Sequence, residues 1–226
     1  MYIVAVIPAR GGSKGIPLKN LATIADRPLI AYAINTCLQA QCVDRTVVST
    51  DHEGIAQVAR RYGAEVPFMR PAELATDQVT LDPVIYHAVT TLEAEEGRAI
   101  DVVLTVQPTC PLLHPGTIDR GVEMLLEGDW DSIVSVREDR HLHWQQVDGH
   151  KRPLYKARVN RQELDPIYCE TGAMFASQRR VVTPRDRLGT RIGLLVTPEL
   201  ESIDIDTELD LRLAEVILKN GSQAGP

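Results

Sequence analysis

From Ala9 to Asn20 the chain reads Ala-Arg-Gly-Gly-Ser-Lys-Gly-Ile-Pro-Leu-Lys-Asn, directly behind the apolar run Tyr2 to Ile7. Three glycines (Gly11, Gly12, Gly15), three cations (Arg10, Lys14, Lys19) and Ser13 share this loop. Glycines let backbone N–H groups approach a ligand closely, and the cations supply positive charge, a combination suited to a triphosphate. The spacing fits neither the P-loop nor the dinucleotide fingerprint. Far downstream, Asp204 and Asp206 stand two apart. Alternate residues of an extended chain project to one face, so both carboxylates can address one cation. Magnesium takes carboxylate oxygens together with phosphate oxygens and water. The alternative is that Asp206 or Thr207 caps the helix that follows. Asp210, a turn later, reads as a surface or helix-dipole partner.

Other candidates are less self-evident. Gln107 lies between an apolar run and a Pro-Thr-Cys-Pro turn whose prolines stiffen the loop. It is either a ligand contact or a turn residue bonded to nearby backbone. Arg70, Thr80 and Asp82 share one loop region, where Thr80 or Asp82 could equally cap a helix. Read alone, Arg161 is a surface arginine of the excursion and Phe175 a core residue. His141-x-His143 lacks a third metal ligand nearby, and His52, His87 and His114 fit helix starts or surfaces. No Ser-His-Asp order with a nucleophile elbow occurs.

The elements that must position these groups alternate in type. Strands are expected at Tyr2 to Ile7, 45–50, 102–106, 132–136, 172–176 and 192–196. Helices are expected from Pro28 to about Ala40 and at 53–61, 83–96, 118–126 and 207–220. The rhythm implies an α/β fold, Rossmann-like and doubly wound, with a mostly parallel sheet and right-handed crossovers. Ligands of such sheets sit beyond the carboxyl ends of the strands. Those ends carry the first loop, Thr50 and Asp51, Gln107, and, from a late strand near Ile203, Asp204 and Asp206. Residues 138–165 break the rhythm and read as an excursion from the sheet. In the last helix, Leu209, Leu213, Val216 and Ile217 form the apolar face. A frayed tail is expected at 221–226.

The 226 residues suit one α/β domain, 1–220, and 44% hydrophobic content is ample for its core. Net charge of −7 argues against general nucleic-acid binding and leaves the basic loop as a site for a small anion. No apolar run is long enough to span a membrane, and the first strand is too short for a signal peptide. Cys37, Cys42, Cys110 and Cys169 contain no Cys-x-x-Cys pair and read as reduced thiols of a cytoplasmic protein.

Three blocks, in order, resemble the acylneuraminate cytidylyltransferases: the Ile7 to Asn20 loop, Gln107 to Leu112 (Gln-Pro-Thr-Cys-Pro-Leu) and Ser202 to Leu211 with its Asp-x-Asp. The resemblance implies CTP bound by Ala9, Arg10, Gly11, Gly12, Ser13, Lys14, Lys19 and Asn20, with Arg70 and Thr80 beside the nucleotide. It implies Mg2+ on Asp204 and Asp206. Arg10 and Lys19 would neutralise the leaving pyrophosphate, with Asp204 a candidate base. Gln107, Arg161 and Phe175 would meet an acceptor, a nonulosonic acid related to sialic acid, and an insert at about 138–170 would reach a second subunit of a homodimer. Two stretches depart from the family pattern, Glu170-Thr171-Gly172-Ala173 and Arg185-Asp186-Arg187-Leu188. Both fall on the acceptor side and leave the sugar open among sialic, legionaminic, pseudaminic and deaminated neuraminic acids. Competing readings are a 3-deoxy-manno-octulosonate cytidylyltransferase or other sugar nucleotidyltransferase, and a non-catalytic nucleotide-binding module.

Overall fold

The computed structural model describes residues 1–221. In chain order the strands are β1 (Ile3–Pro8), β2 (Thr23–Ile24), β3 (Arg27–Pro28), β4 (Arg45–Ser49), β5 (Val102–Val106), β6 (Ser132–Asp139), β7 (Trp144–Val147), β8 (His150–Pro153), β9 (Ile167–Gln178) and β10 (Ile192–Val196). The helices are α1 (Leu29–Gln39), α2 (Glu53–Arg61), α3 (Leu81–Glu96), α4 (Pro115–Glu127) and α5 (Glu208–Gly221). Six strands form the central sheet in the order β10-β6-β9-β5-β1-β4. All run parallel except β9, which pairs antiparallel with both β5 and β6.

Burial on both faces explains the near-continuous apolar runs of β1 (IVAVIP) and β5 (VVLTV). One face packs on α1, α2 and α4 through Ile34, Ile55, Ile118 and Leu125. The other packs on α3 through Ile85, Val89 and Leu92. Local chemistry sets the helix ends. The His114 ring accepts the Gly116 N–H at 3.1 Å ahead of α4, with Pro115 in the first turn. Gly97, at φ +61°, closes α3.

The elements agree with the sequence reading within a few residues, with three corrections. First, the excursion is narrower than 138–170. β6 runs on to Asp139 and β9 starts at Ile167, the pair continuing past a register shift between Val134 and Val136. What lies between holds the β7–β8 hairpin and a 3-10 turn at Arg161–Glu163. Second, no late strand forms near Ile203. A 3-10 turn at Glu199–Ser202 leads into an irregular segment. Third, Leu209, Leu213 and Val216 of α5 are exposed. The helix instead buries Ala214, with Leu211 and Leu218 packed beside it, against Ile24, Leu29 and Ile205. Apolar spacing alone could not choose between two stripes of one helix. Of the tail expected at 221–226, Gly221 ends α5 and the remainder lies outside the described residues.

Candidate active site

The carboxyl ends of β1 and β5 open into a cleft of about 520 Å³. Arg10, Ser13, Lys14, Gly15, Lys19 and Asn20 enter it from the loop after β1, Gln107 and Thr109 from the loop after β5, and Arg70 and Asp206 from elsewhere in the chain. The loop is held by its own polar groups. The buried Asn20 side chain donates to the Arg10 carbonyl at 3.0 Å. The Gly11 N–H donates to the Asp51 carboxylate at 2.9 Å, and the Ala9 N–H to the Ser49 carbonyl at 2.9 Å. Ala9 is fully buried in the core, so with its amide committed it anchors the loop. Gly11 packs against the His52 ring, 3.0 Å from where a Cβ would stand, whereas Gly12 borders open space. Gly12 therefore leaves room for a ligand at its backbone.

Arg70 is buried, its backbone N–H bonded to the Thr50 carbonyl at 2.7 Å and its guanidinium to the Ser49 hydroxyl at 3.1 Å and the Ser49 carbonyl. Burial pushes its pKa down to about 10, so it remains a cation at neutral pH. Across the cleft Asp77 bridges two loop cations, Arg10 at 2.8 Å and Lys14 at 3.1 Å.

The acidic segment is pinned from three sides. The Ile205 N–H donates to the Thr109 carbonyl at 2.9 Å, and the Ile205 side chain is fully buried. The Lys19 ammonium donates to the Ile205 carbonyl at 2.5 Å and to the Asp206 carboxylate at 3.2 Å. The Asp210 carboxylate accepts the N–H groups of Asp206 and Thr207 and the Thr207 hydroxyl, at 3.2, 2.8 and 2.8 Å. Asp210 thus fastens the start of α5 from within, a more specific role than that of a dipole partner.

Asp206 lines the main cleft, while Asp204 lines an adjoining cavity of about 390 Å³ with Glu170, Arg137 and Asp210. Crowding by protein atoms, reinforced by the neighbouring Asp206 charge, raises the Asp204 carboxyl above the ordinary range against an opposing bond from Thr109. Among the described residues no three His, Cys, Asp or Glu side chains form a ready-made metal cage. Asp206 beside the basic loop fits magnesium, which commonly takes one or two carboxylates plus substrate phosphates, while Asp204 opens on the other cavity.

On the acceptor side the sequence reading fares unevenly. Gln107 does reach the cleft, and its amide lies 2.9 Å from where a Cβ of Gly172 would stand, at φ +72°. Phe175 does not reach it. It is a core residue beside Val134, Val136 and Leu188, with the Arg187 guanidinium 4.6 Å above its ring. Arg161 sits exposed in the excursion and lines none of the cavities described. Thr80 is also off the cleft, exposed ahead of α3 with its hydroxyl 3.4 Å from the Asp82 carboxylate. Burial pushes the Cys110 thiol up to about 12, which disqualifies it as a nucleophile. Sequence reasoning missed Asp77 and Thr109, and it placed Asp51 at a strand end without its bond to the loop; these parts depend on partners far along the chain.

A doubly wound domain whose strand ends present a basic glycine-rich loop and an acidic segment to one cleft defines the nucleotidyltransferase class of α/β proteins. The chain matches the cytidylyltransferase family over residues 4–179 and belongs to it. It is 37% identical to a CMP-N,N'-diacetyllegionaminic acid synthase of Legionella pneumophila, over 99% of each chain. It is 30% identical to a pseudaminic acid cytidylyltransferase of Campylobacter jejuni, over 97% of each. It is 31% identical to N-acylneuraminate cytidylyltransferase A of Danio rerio over 95% of this chain. The chain spans about half the length of that protein and of a similar one from Oncorhynchus mykiss (50% of each). Solved structures share the fold. A CMP:2-keto-3-deoxy-manno-octonic acid synthetase complexed with CTP superposes with TM-score 0.72 at 17% identity, covering 98% of this chain and all of that one. A 4-diphosphocytidyl-2C-methyl-D-erythritol synthase gives 0.70 at 14% identity, covering 96% of this chain and 99% of that one.

Proposed function

We propose that this chain transfers CMP from CTP to the anomeric hydroxyl of a nonulosonic acid and releases pyrophosphate. The observation that carries the reading is the convergence of Arg10, Lys14, Lys19, Arg70 and Asp206 on one cleft beyond the strand ends. The names of the sialic, legionaminic and pseudaminic acid relatives support it.

In this reading the loop cations and the N–H of Gly12 hold the triphosphate. The acceptor oxygen forms a bond to the α-phosphorus as the bond from that phosphorus to the bridging oxygen breaks. Arg10 and Lys19 meet the charge that grows on the departing pyrophosphate, so rate enhancement comes from positioning and electrostatics without a covalent enzyme intermediate. Asp204, its carboxyl raised by burial, takes the hydroxyl proton. Gln107 orients the sugar. Asp206 and Asp204 would hold magnesium, which when bound adds positive charge to the triphosphate. Arg161 and the excursion act, in this reading, across the interface of a cytoplasmic homodimer. Among the described residues no helix is long and apolar enough to cross a membrane.

The test is pyrophosphate release over a grid of nucleoside triphosphates and sugar acids. Turnover with CTP and a nonulosonic acid is expected. Turnover only with 3-deoxy-manno-octulosonate reassigns the acceptor. CTP binding without turnover on any acid makes the chain a binding module.

A further inference from the structure

The three cations of the loop already have internal counter-ions. Lys19 faces Asp206, whereas Arg10 and Lys14 share the single carboxylate of Asp77, one oxygen each. Among the described residues that carboxylate has no other partner. We infer that Asp77 is a built-in phosphate surrogate: it occupies Arg10 and Lys14 in the empty cleft, a nucleoside triphosphate displaces it on entry, and Asp77 thereby sets nucleotide affinity. The inference rests on reading the cleft as a triphosphate site.

Three observations carry it. The first is chemical. A guanidinium and an ammonium on the two oxygens of one anion is the arrangement that two non-bridging phosphate oxygens would offer the same cations. The second is placement. Asp77 lies between the 3-10 turn Ala72–Leu74 and α3, in a strap whose backbone is held only by short turn bonds: Leu74 to Pro71, Ala75 to Ala72, and Val79 to Thr76 at 3.4 Å. It can therefore withdraw without breaking a ladder. Asp51 forms the contrast. It also occupies a loop donor, the Gly11 N–H, but stands only two residues past the end of β4, and so anchors the loop. The third is strength. The Lys14 side chain is 77% exposed and that of Asp77 43% exposed. Pairs this accessible are weakly bound. A polyanion carrying several charges at once outcompetes one carboxylate, and the carboxylate recaptures the cations when the anion leaves.

The experiment is calorimetric titration of the full chain with CTP and, separately, with inorganic tripolyphosphate. The variants are Asp77→Asn, which removes the charge at constant shape, and Asp77→Glu, which restores it. Asp77→Asn should bind both ligands roughly fivefold to tenfold more tightly, as expected from losing two partly exposed ion pairs, and Asp77→Glu should return toward the parent. Unchanged or weaker binding by a folded Asp77→Asn overturns the inference. So does a gain for CTP without one for tripolyphosphate, which would place Asp77 on the nucleoside. If neither ligand binds parent or variant, the nucleotide reading fails and the surrogate with it.

Discussion

Gly15 lies against the backbone carbonyl of Asp206: a Cβ built on Gly15 would stand 2.5 Å from that oxygen. The basic loop after β1 and the acidic segment before α5 thus touch through main chain, across almost the whole sequence. Gly15→Ala must push the two apart. The expected cost is about 1–3 kcal/mol of stability and, because the segment carries Asp206, roughly tenfold or more in turnover. Gly12→Ala, with nothing near its Cβ, should leave stability unchanged and weaken only nucleotide binding. Thermal melts and CTP titrations of both variants check the contrast. Equal melting losses would mean that the contact is unimportant.

Asp204 should make the stability of the fold depend on pH. The folded-state pKa of Asp204 is raised, chiefly by burial. A raised pKa favours the fold while the group is protonated, below its unfolded value of about 3.9. That contribution is lost as pH rises through the folded value. At neutral pH the ionised Asp204 is therefore a strain on the fold. Asp204→Asn should melt at or above the parent temperature at pH 7, while its turnover falls by about two to three orders of magnitude. A lower melting temperature at pH 7 would refute the burial argument.

Asp206→Ala should cost turnover far more than it costs CTP affinity, because Lys19 and the rest of the loop cations stay in place. Kinetics in a magnesium series provide the check. Full activity at ordinary magnesium would remove Asp206 from the metal role.

Gly172→Ala meets two obstacles at once, a backbone at φ +72° and the Gln107 amide at 2.9 Å. Strain of about 1–3 kcal/mol follows, and displaced Gln107 should raise the acceptor KM several-fold while leaving the CTP KM alone. An unchanged acceptor KM would free Gln107 from the sugar.

Asp131 predicts the acid limit of the fold. The buried carboxylate accepts the backbone N–H groups of Arg191 and Thr190 and the Arg180 guanidinium, which hold its pKa well below the usual carboxylate range. A depressed pKa contributes stability that is present above the unfolded value and lost as pH falls through the folded one. Asp131→Asn should therefore lower the melting temperature at pH 7 and flatten its decline below about pH 4. Parallel melting curves for parent and variant across that range would exclude Asp131 as the acid-sensitive clamp.

Most of the fold was legible because burial writes itself into runs and periods. β1, β5 and β10 read as apolar strands, and α2 and α4 as amphipathic helices. The basic loop was legible for a related reason, since its glycines and cations are neighbours in the chain. What the residues alone determined, then, was the sheet-and-helix order, the anionic character of the ligand and the family resemblance. Tertiary structure decided the rest. It buried Phe175, turned Leu209 and Leu213 outward, withdrew Thr80 from the cleft and set Asp77 on Arg10 and Lys14. Each outcome depends on which surfaces meet across long stretches of chain, and local spacing carries no record of that choice.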